Sequence, residues 1–353
     1  MITMKLTDKR PLIISGPCSA ETREQTLDTC RAIAKTGMVD ILRAGIWKPR
    51  TSPGGFEGSG LKGLAWIAEA KAETGLPIAV EVATAAHVKS ALEFGVDVLW
   101  IGARTTVNPF SVQEIADALR GTKIPVLVKN PMNPDVKLWA GAIERLRKVG
   151  VDNVGLIHRG FSSYGASEYR NAPLWHLAIE MKMSMPDVPM ICDPSHICGN
   201  THLLQAVAQE AADLQYDGLI IESHCTPKAA WSDASQQVTP DELAKLLCSI
   251  HWRQQTDARP EFQQQLERLR EQIDQYDAEL FGILSHRMKV AEQIGQTKRD
   301  NNVMILQAAR WDEIVSRFIA QSDHLDLSRE FLSILLNAIH MESIQRQNRV
   351  MNK

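Results

Sequence analysis

No apolar run in the 353-residue chain approaches the ~20 residues that a membrane-spanning helix needs. Its first residues place Lys5, Asp8, Lys9 and Arg10 before any long hydrophobic stretch, so a secretory leader is not expected. These absences predict a cytoplasmic protein with no membrane partner. Neither charge is in excess: 39 Lys and Arg against 42 Asp and Glu leave a formal net charge of −3, and no chain-wide basic field exists to hold nucleic acid. Any anion site must therefore be local. The six cysteines, Cys18, Cys30, Cys192, Cys198, Cys225 and Cys248, contain no C-x-x-C pair, which argues against a zinc-thiolate cage and a disulfide framework. No Gly-x-Gly-x-x-Gly follows the first apolar run, which disfavours an open dinucleotide-binding sheet.

What remains is an ordinary globular composition, 44% hydrophobic and 23% charged, in a chain long enough for two domains or for one large barrel with an appendage. Eight short Val/Ile/Leu-rich runs precede residue 251, each followed by a polar loop and a helical pattern. They begin at Pro11, Val39, Pro77, Val98, Pro125, Val154, Pro189 and Gly218. Strands alternating with helices pair in parallel, and eight such units are the number that closes into a (β/α)8 barrel, here predicted over residues 1–251. Residues 252–262 read as a polar, proline-stopped linker. Residues 263–353 carry no strand signal. Leu266, Leu269, Ile273, Leu280, Leu284, Met288, Ala291 and Ile294 recur at helical spacing, and further helices are expected from about Ala308 to Gln321 and from Ser328, as N-cap, to about Met351. Three such helices cannot bury their apolar stripes alone, so the unit is expected to form a homodimer or larger assembly.

In a barrel of this kind chemistry sits just past the C-terminal ends of the strands. In order, those positions hold Cys18; Arg43 with Lys48 and Arg50; Glu81; Arg104; Lys129; Arg159; Asp193 with His196; and Glu222. Six cations converging on one mouth would repel unless a ligand of comparable negative charge neutralised them, and a mixture of Arg forks and Lys point charges suits phosphate together with carboxylate. The competing reading is a network of salt bridges, for which only Glu81, Asp193 and Glu222 are positioned. The remaining groups, Cys18, His196, Glu222 and Asp233, form a sulfur, nitrogen and oxygen set suited to a borderline divalent ion such as Mn, Fe, Co or Zn with an open position. Cys198, Cys225 and His224 are nearby rivals, and His224 shares the face of Glu222 by strand alternation.

Four motifs in this order, Gly16-Pro17-Cys18-Ser19, Lys48-Pro49-Arg50-Thr51-Ser52-Pro53, Gly102-Ala103-Arg104 and Asp193-Pro194-Ser195-His196, resemble the short type I beta 3-deoxy-D-arabino-heptulosonate 7-phosphate (DAHP) synthases. The resemblance implies a TIM barrel that condenses phosphoenolpyruvate with erythrose 4-phosphate using a divalent metal, Mn before Fe, Co or Zn. It implies metal ligation by Cys18, His196, Glu222 and Asp233, whose gaps of 26 and 11 residues between the last three match the family and favour Glu222 over His224. It also implies phosphoenolpyruvate binding by Arg43, Lys48, Arg104, Lys129 and Arg159, with Lys48 also catalytic, and erythrose 4-phosphate binding by Arg50 and Thr51. The chain departs from the family in Ala44-Gly45 for a glycine pair, Gly54-Gly55-Phe56 for Tyr-Ser-Phe, and Asn130-Pro131 after Lys129. The sister synthases that make 3-deoxy-octulosonate 8-phosphate share the barrel but lack the Lys-Pro-Arg-Thr run.

The tail, from about Glu261 to Gln347, resembles the all-helical chorismate mutases through Leu269-Arg270, Asp277, Arg287, Lys298, Arg310 and Gln347. By that resemblance Arg270, Arg287, Lys298, Arg310 and Gln347 are catalytic, with chorismate as substrate and prephenate as product. Helix geometry agrees in part: Arg287 and Lys298 differ by only ~20° in direction over ~16 Å of rise, whereas Arg270 points to another face and would suit a partner subunit's site. Trp311 stands where the family often has an acid, and Gln307 is expected to take over part of its role. An inactive tail kept as a sensor or dimerisation module is the alternative, and feedback on the barrel by prephenate or chorismate is the expected reason for the fusion.

Overall fold

A computed structural model describes residues 5–48, 54–164, 167–254 and 259–352. The chain divides into two compact units, Met1–Gln255 and Thr256–Lys353. In the first, eight parallel strands close into a barrel in simple sequence order: β1 Leu12–Gly16, β2 Ile41–Ala44, β3 Ile78–Val82, β4 Val98–Ile101, β5 Val126–Lys129, β6 Val154–His158, β7 Met190–Cys192 and β8 Gly218–Glu222. Each lies within the apolar run expected to form it. No helix among the described residues is long and apolar enough to cross a membrane.

The two-residue period of the strands sorts their side chains into an inner and an outer set. Ile14, Ile41, Ala79, Val98, Trp100, Leu127, Ile157, Ile191 and Ile220 fill the barrel, and Leu6 from the N-terminal segment packs with them. The alternate residues, such as Leu42, Val80, Leu99, Val128, Leu156 and Leu219, face the helices. Two residues beyond the inner aliphatic layer, the same inward face carries Arg43, Glu81, Lys129, Arg159, Asp193 and Glu222. The switch from apolar to ionisable on one face marks the mouth. Glycine is required where β1 and β2 approach: a Cβ on Gly16 would lie 1.9 Å from the Arg43 carbonyl oxygen.

In the outer layer His158 is fully buried, its Nε2 2.7 Å from the Pro173 carbonyl and its Nδ1 2.8 Å from the Tyr216 hydroxyl. Burial lowers its pKa from 6.5 to about 4. A histidine held neutral in the fold but protonated when unfolded contributes stability above pH 6.5 that is lost as pH falls towards 4. The expected loss across that window is about 3 kcal/mol. Urea midpoints at successive pH values check this, with His158→Gln expected to flatten the acid limb.

The second unit contains helices Pro260–Asp300, Ala308–Ala320, Ser322–Leu325 and Arg329–Met351. Ser328 caps the last by accepting the Phe331 N–H, as its position predicted. The short helix Ser322–Leu325 was not expected; it ends at Asp326 in the left-handed region. Gly295 lets the long helix meet the last one closely, since a Cβ there would lie 2.9 Å from Gln347 Cα. Towards its start the long helix exposes Leu269, Ile273, Tyr276 and Phe281.

Candidate active sites of the two units

Around the barrel mouth, Cys18, Glu222 and Asp233 bring ligand atoms within 4.8 Å of one another. Cys18 follows β1, Glu222 ends β8, and Asp233 lies in the loop after it, in the left-handed region at φ +49°. His196 arrives on the short helix Pro194–Cys198, which Asp193 caps by accepting the His196 backbone N–H. The same carboxylate takes the ring Nδ1 at 2.9 Å, so Nε2 is left bare and stands 3.8 Å from Glu222 Oε1. Burial lowers the His196 pKa, against the pull of Asp193. Glu222 Oε1 already accepts from Arg43, so the imidazole Nε2 is the acceptor left open beside it, and a carboxylate behind the imidazole is the usual support for a metal-binding histidine. The donor set therefore fits a borderline divalent ion, though His196 lies outside the tight group of three.

Electrostatics sharpen the fit. Burial, reinforced by Glu222, pushes the Cys18 thiol up to about 11, and a divalent ion is the charge that would reverse this. Burial opposes charge on Lys48, but Cys18 and Glu222 outweigh it and raise its pKa; Lys48 Nζ lies 3.1 Å from Cys18 Sγ. Burial likewise opposes ionisation of Asp193, yet His196 and Lys129 hold its carboxyl well below the usual range. Asp233 is depressed too, with burial overcome by Arg170 and His196.

The cations do not all stand free. Arg43 pairs with Glu222 at 2.9 Å and donates to the Cys18 carbonyl, while Lys129 pairs with Asp193 at 2.9 Å. These two ion pairs are what the salt-bridge reading anticipated. Arg159 donates to Asn171, Lys48 sits on Cys18, and Arg104 is exposed in the short helix Ala103–Thr106. Beneath them Trp100, absent from the expected site, holds Glu81 through its indole N–H at 2.8 Å and lies 5.0 Å from the Arg43 guanidinium. Arg50 and Thr51 lie outside the described residues.

Two departures from the resembled family have local explanations. Gly45 is the indispensable member of Ala44-Gly45, because a Cβ there would meet the Cys18 carbonyl at 2.3 Å and the Lys48 side chain at 2.4 Å; Ala44 belongs to the outer core. Asn130 accepts the Arg159 backbone N–H at 2.7 Å and donates to the Gly160 carbonyl at 2.8 Å, tying the ends of β5 and β6. The rival ligands stand apart from the cluster. His224 lies past the end of β8, where alternation no longer governs, and its Nε2 faces Glu21 at 3.7 Å. Cys225 is beside it, and Cys198 packs in the outer core.

The helical unit has its own pocket of about 300 Å³, lined by Arg287, Lys298, Arg310 and Gln347 among others. Lys298 Nζ lies 3.1 Å from Gln347 Oε1 and 2.5 Å from the Ile305 carbonyl. Arg287 donates to Ser343 Oγ at 2.6 Å, a residue sequence reasoning missed although it sits one turn before Gln347 on the same face. Arg310 is also paired with Glu313 at 2.6 Å. Trp311 stacks on His340 with ring centroids 3.9 Å apart, and Gln307 joins the lining. Arg270 is exposed and does not line this pocket.

Residues 3–259 match the DAHP synthetase I family and residues 269–348 match chorismate mutase type II. A phospho-2-dehydro-3-deoxyheptonate aldolase of Thermotoga maritima is 30% identical over 226 residues, which cover 64% of this chain and 64% of that protein's length. The crystal structure of the Thermotoga maritima DAHP synthase superposes with a TM-score of 0.60 at 29% identity over 67% of each chain. A 2-dehydro-3-deoxyphosphooctonate aldolase of Dechloromonas aromatica is 26% identical over 264 residues, covering 69% of this chain and 91% of that protein. By its barrel the chain belongs to the DAHP synthetase I family, and its helical unit is similar to the type II chorismate mutases over residues 269–348.

Proposed function

We propose that the barrel condenses phosphoenolpyruvate with erythrose 4-phosphate to DAHP and phosphate, and that the helical unit rearranges chorismate to prephenate. One observation carries the first activity: a thiol and two carboxylates gathered within 4.8 Å, with a bare imidazole nitrogen beside them, under a rim of Arg and Lys. Cys18, His196, Glu222 and Asp233 would hold the divalent metal, Mn first, which when bound supplies Lewis acidity at an open position. Lys129, Arg104 and Arg159 bind the phosphate and carboxylate of phosphoenolpyruvate, Arg43 fixes Glu222 and the Cys18 carbonyl, and Arg50 with Thr51 takes the aldose phosphate. Carbon 3 of phosphoenolpyruvate forms the bond to the aldehyde carbon, water adds at carbon 2, and phosphate leaves by carbon–oxygen cleavage. Positioning two anions within attack distance is the principal work of the rim. Lys48, kept charged beside Cys18, is placed to supply a proton to the oxygen that gains charge.

In the helical pocket Arg287 and Arg310 clamp the two carboxylates of the reactive conformer, while Lys298 and Gln347 face the ether oxygen as it becomes negative. No nucleophile is needed. Arg270 completes the site of a second copy, and the exposed stripe from Leu269 to Phe281 supports a homodimer through this unit. Six cysteines without a disulfide fit a reducing, cytoplasmic setting.

The deciding experiment is the two-substrate assay on metal-stripped protein: product forms only after Mn2+ is restored, and product formation without any divalent ion contradicts the reading. A five-carbon aldose phosphate in place of erythrose 4-phosphate tests the sister activity. Feedback is tested by titrating the condensation with prephenate. A fall in rate of ~10-fold at saturating prephenate, ~1.4 kcal/mol in the activation barrier, supports it, and an unchanged rate at saturation rejects it. An inactive tail is excluded if residues 256–353, in the full chain, convert chorismate.

A further inference from the structure

The loop after β6 contributes a dipeptide, Arg170-Asn171, that neither motif nor spacing singled out. Its backbone is fixed to the helix carrying His196: Arg170 N donates to the Cys198 carbonyl at 3.3 Å, and Asn171 N to the Ile197 carbonyl at 3.1 Å. Asn171 is buried and uses both ends of its amide. Its Nδ2 donates to the His196 carbonyl at 2.6 Å, and its Oδ1 accepts from Arg159 Nη1 at 2.5 Å. Arg170 reaches the other way. Its Nη1 donates to Asp233 Oδ1 at 2.9 Å and to Gln236 Oε1 at 2.7 Å, and Gln236 in turn donates to Glu222 Oε2 at 2.7 Å.

These contacts have a directional consequence. With Asp233 Oδ1 taken by Arg170, Oδ2 is the oxygen that faces Cys18, at 3.4 Å from Sγ. Asp233 holds a left-handed backbone at φ +49°, a conformation that persists only when its surroundings enforce it. The Arg170 stem is itself confined, because Gly199, at φ +68° after the His196 helix, leaves room that a Cβ would close to 2.5 Å from Arg170 Cβ. Asn171 similarly sets where the Arg159 guanidinium lies before any anion arrives.

We propose that Arg170 and Asn171 are positioning residues that set the two arms of the barrel site from one point, Arg170 presenting Asp233 and, through Gln236, Glu222 to the metal, and Asn171 presenting Arg159 to the phosphate of phosphoenolpyruvate. The inference rests on the metal-dependent reading of the barrel. It predicts separable defects. Outer partners of metal ligands are worth ~10–100-fold in metal affinity, so Arg170→Met weakens Mn2+ binding to the stripped full-length protein by that factor, and Arg170→Lys restores part of it. At saturating Mn2+ the KM for phosphoenolpyruvate of Arg170→Met stays near wild type. Asn171→Ala behaves oppositely, raising that KM ~10-fold while shifting Mn2+ affinity much less.

The experiment is calorimetric titration of Mn2+ into stripped wild type, Arg170→Met, Arg170→Lys and Asn171→Ala, with KM and kcat measured at saturating Mn2+ and thermal midpoints of the metal-free proteins recorded. The split just described, with unchanged midpoints, supports the proposal. Wild-type Mn2+ affinity in Arg170→Met, or equal losses on both arms in both variants, overturns it while leaving the metal reading intact. Absence of saturable Mn2+ binding in wild type overturns the metal reading and this proposal with it.

Discussion

Cys18→Ala is expected to lower kcat/KM for the condensation by ~10³-fold or more, about 4 kcal/mol of transition-state stabilisation, and to abolish tight Mn2+ binding. The fold should tolerate it. Cys18 lies in neither hydrophobic cluster, and alanine leaves the Cys18 backbone N–H to Gln237 contact and the carbonyl to Arg43 contact in place. Chorismate turnover by the helical unit serves as an internal control in the same preparation. A variant that keeps its metal and its rate would mean that Glu222, Asp233 and His196 suffice, and that the thiol is only a buried neighbour of Lys48.

The second large effect is expected in the helical pocket. Arg287→Ala removes a cation that the Ser343 hydroxyl holds at 2.6 Å in a part-buried position, and Lys298→Ala removes the charge facing Gln347. Removing one preorganised electrostatic donor costs ~10²–10³-fold in rate, and each variant should lose at least this much mutase activity at constant chorismate. Loss in kcat more than in KM would place the lost interaction in the transition state. Trp311 sets the contrast: stacked on His340, it offers no carboxylate to a substrate hydroxyl, so Trp311→Glu should alter KM for chorismate more than Arg287→Ala does.

Much of this arrangement was legible in the sequence because both architectures repeat a simple period. The inward face of each barrel strand alternates strictly, so the residues two past Ile41, Leu127 and Ile157 had to be Arg43, Lys129 and Arg159 at the mouth. Helical spacing likewise put Arg287 and Lys298 in one pocket and left Arg270 outside it. Period fails where chain leaves the strand. His224 kept its apparent alternation with Glu222 on paper, but β8 ends at Glu222 and the imidazole turns towards Glu21. Arg170 and Asn171 lie in an irregular loop whose path depends on Gly199 and the His196 helix, contacts far apart in sequence. Trp100 carries no signal of its role in the sequence, since an indole that fills a barrel and one that underlies two cations occupy the same strand position.

The most direct test of the account is an anomalous difference map, at the manganese edge, from crystals of the full chain grown with Mn2+. A single strong peak bonded to both Cys18 Sγ and His196 Nε2, with Glu222 and Asp233 completing the shell, is the expected result. A peak that leaves either of the first two unbonded, or one centred on His224 and Glu21, would contradict it.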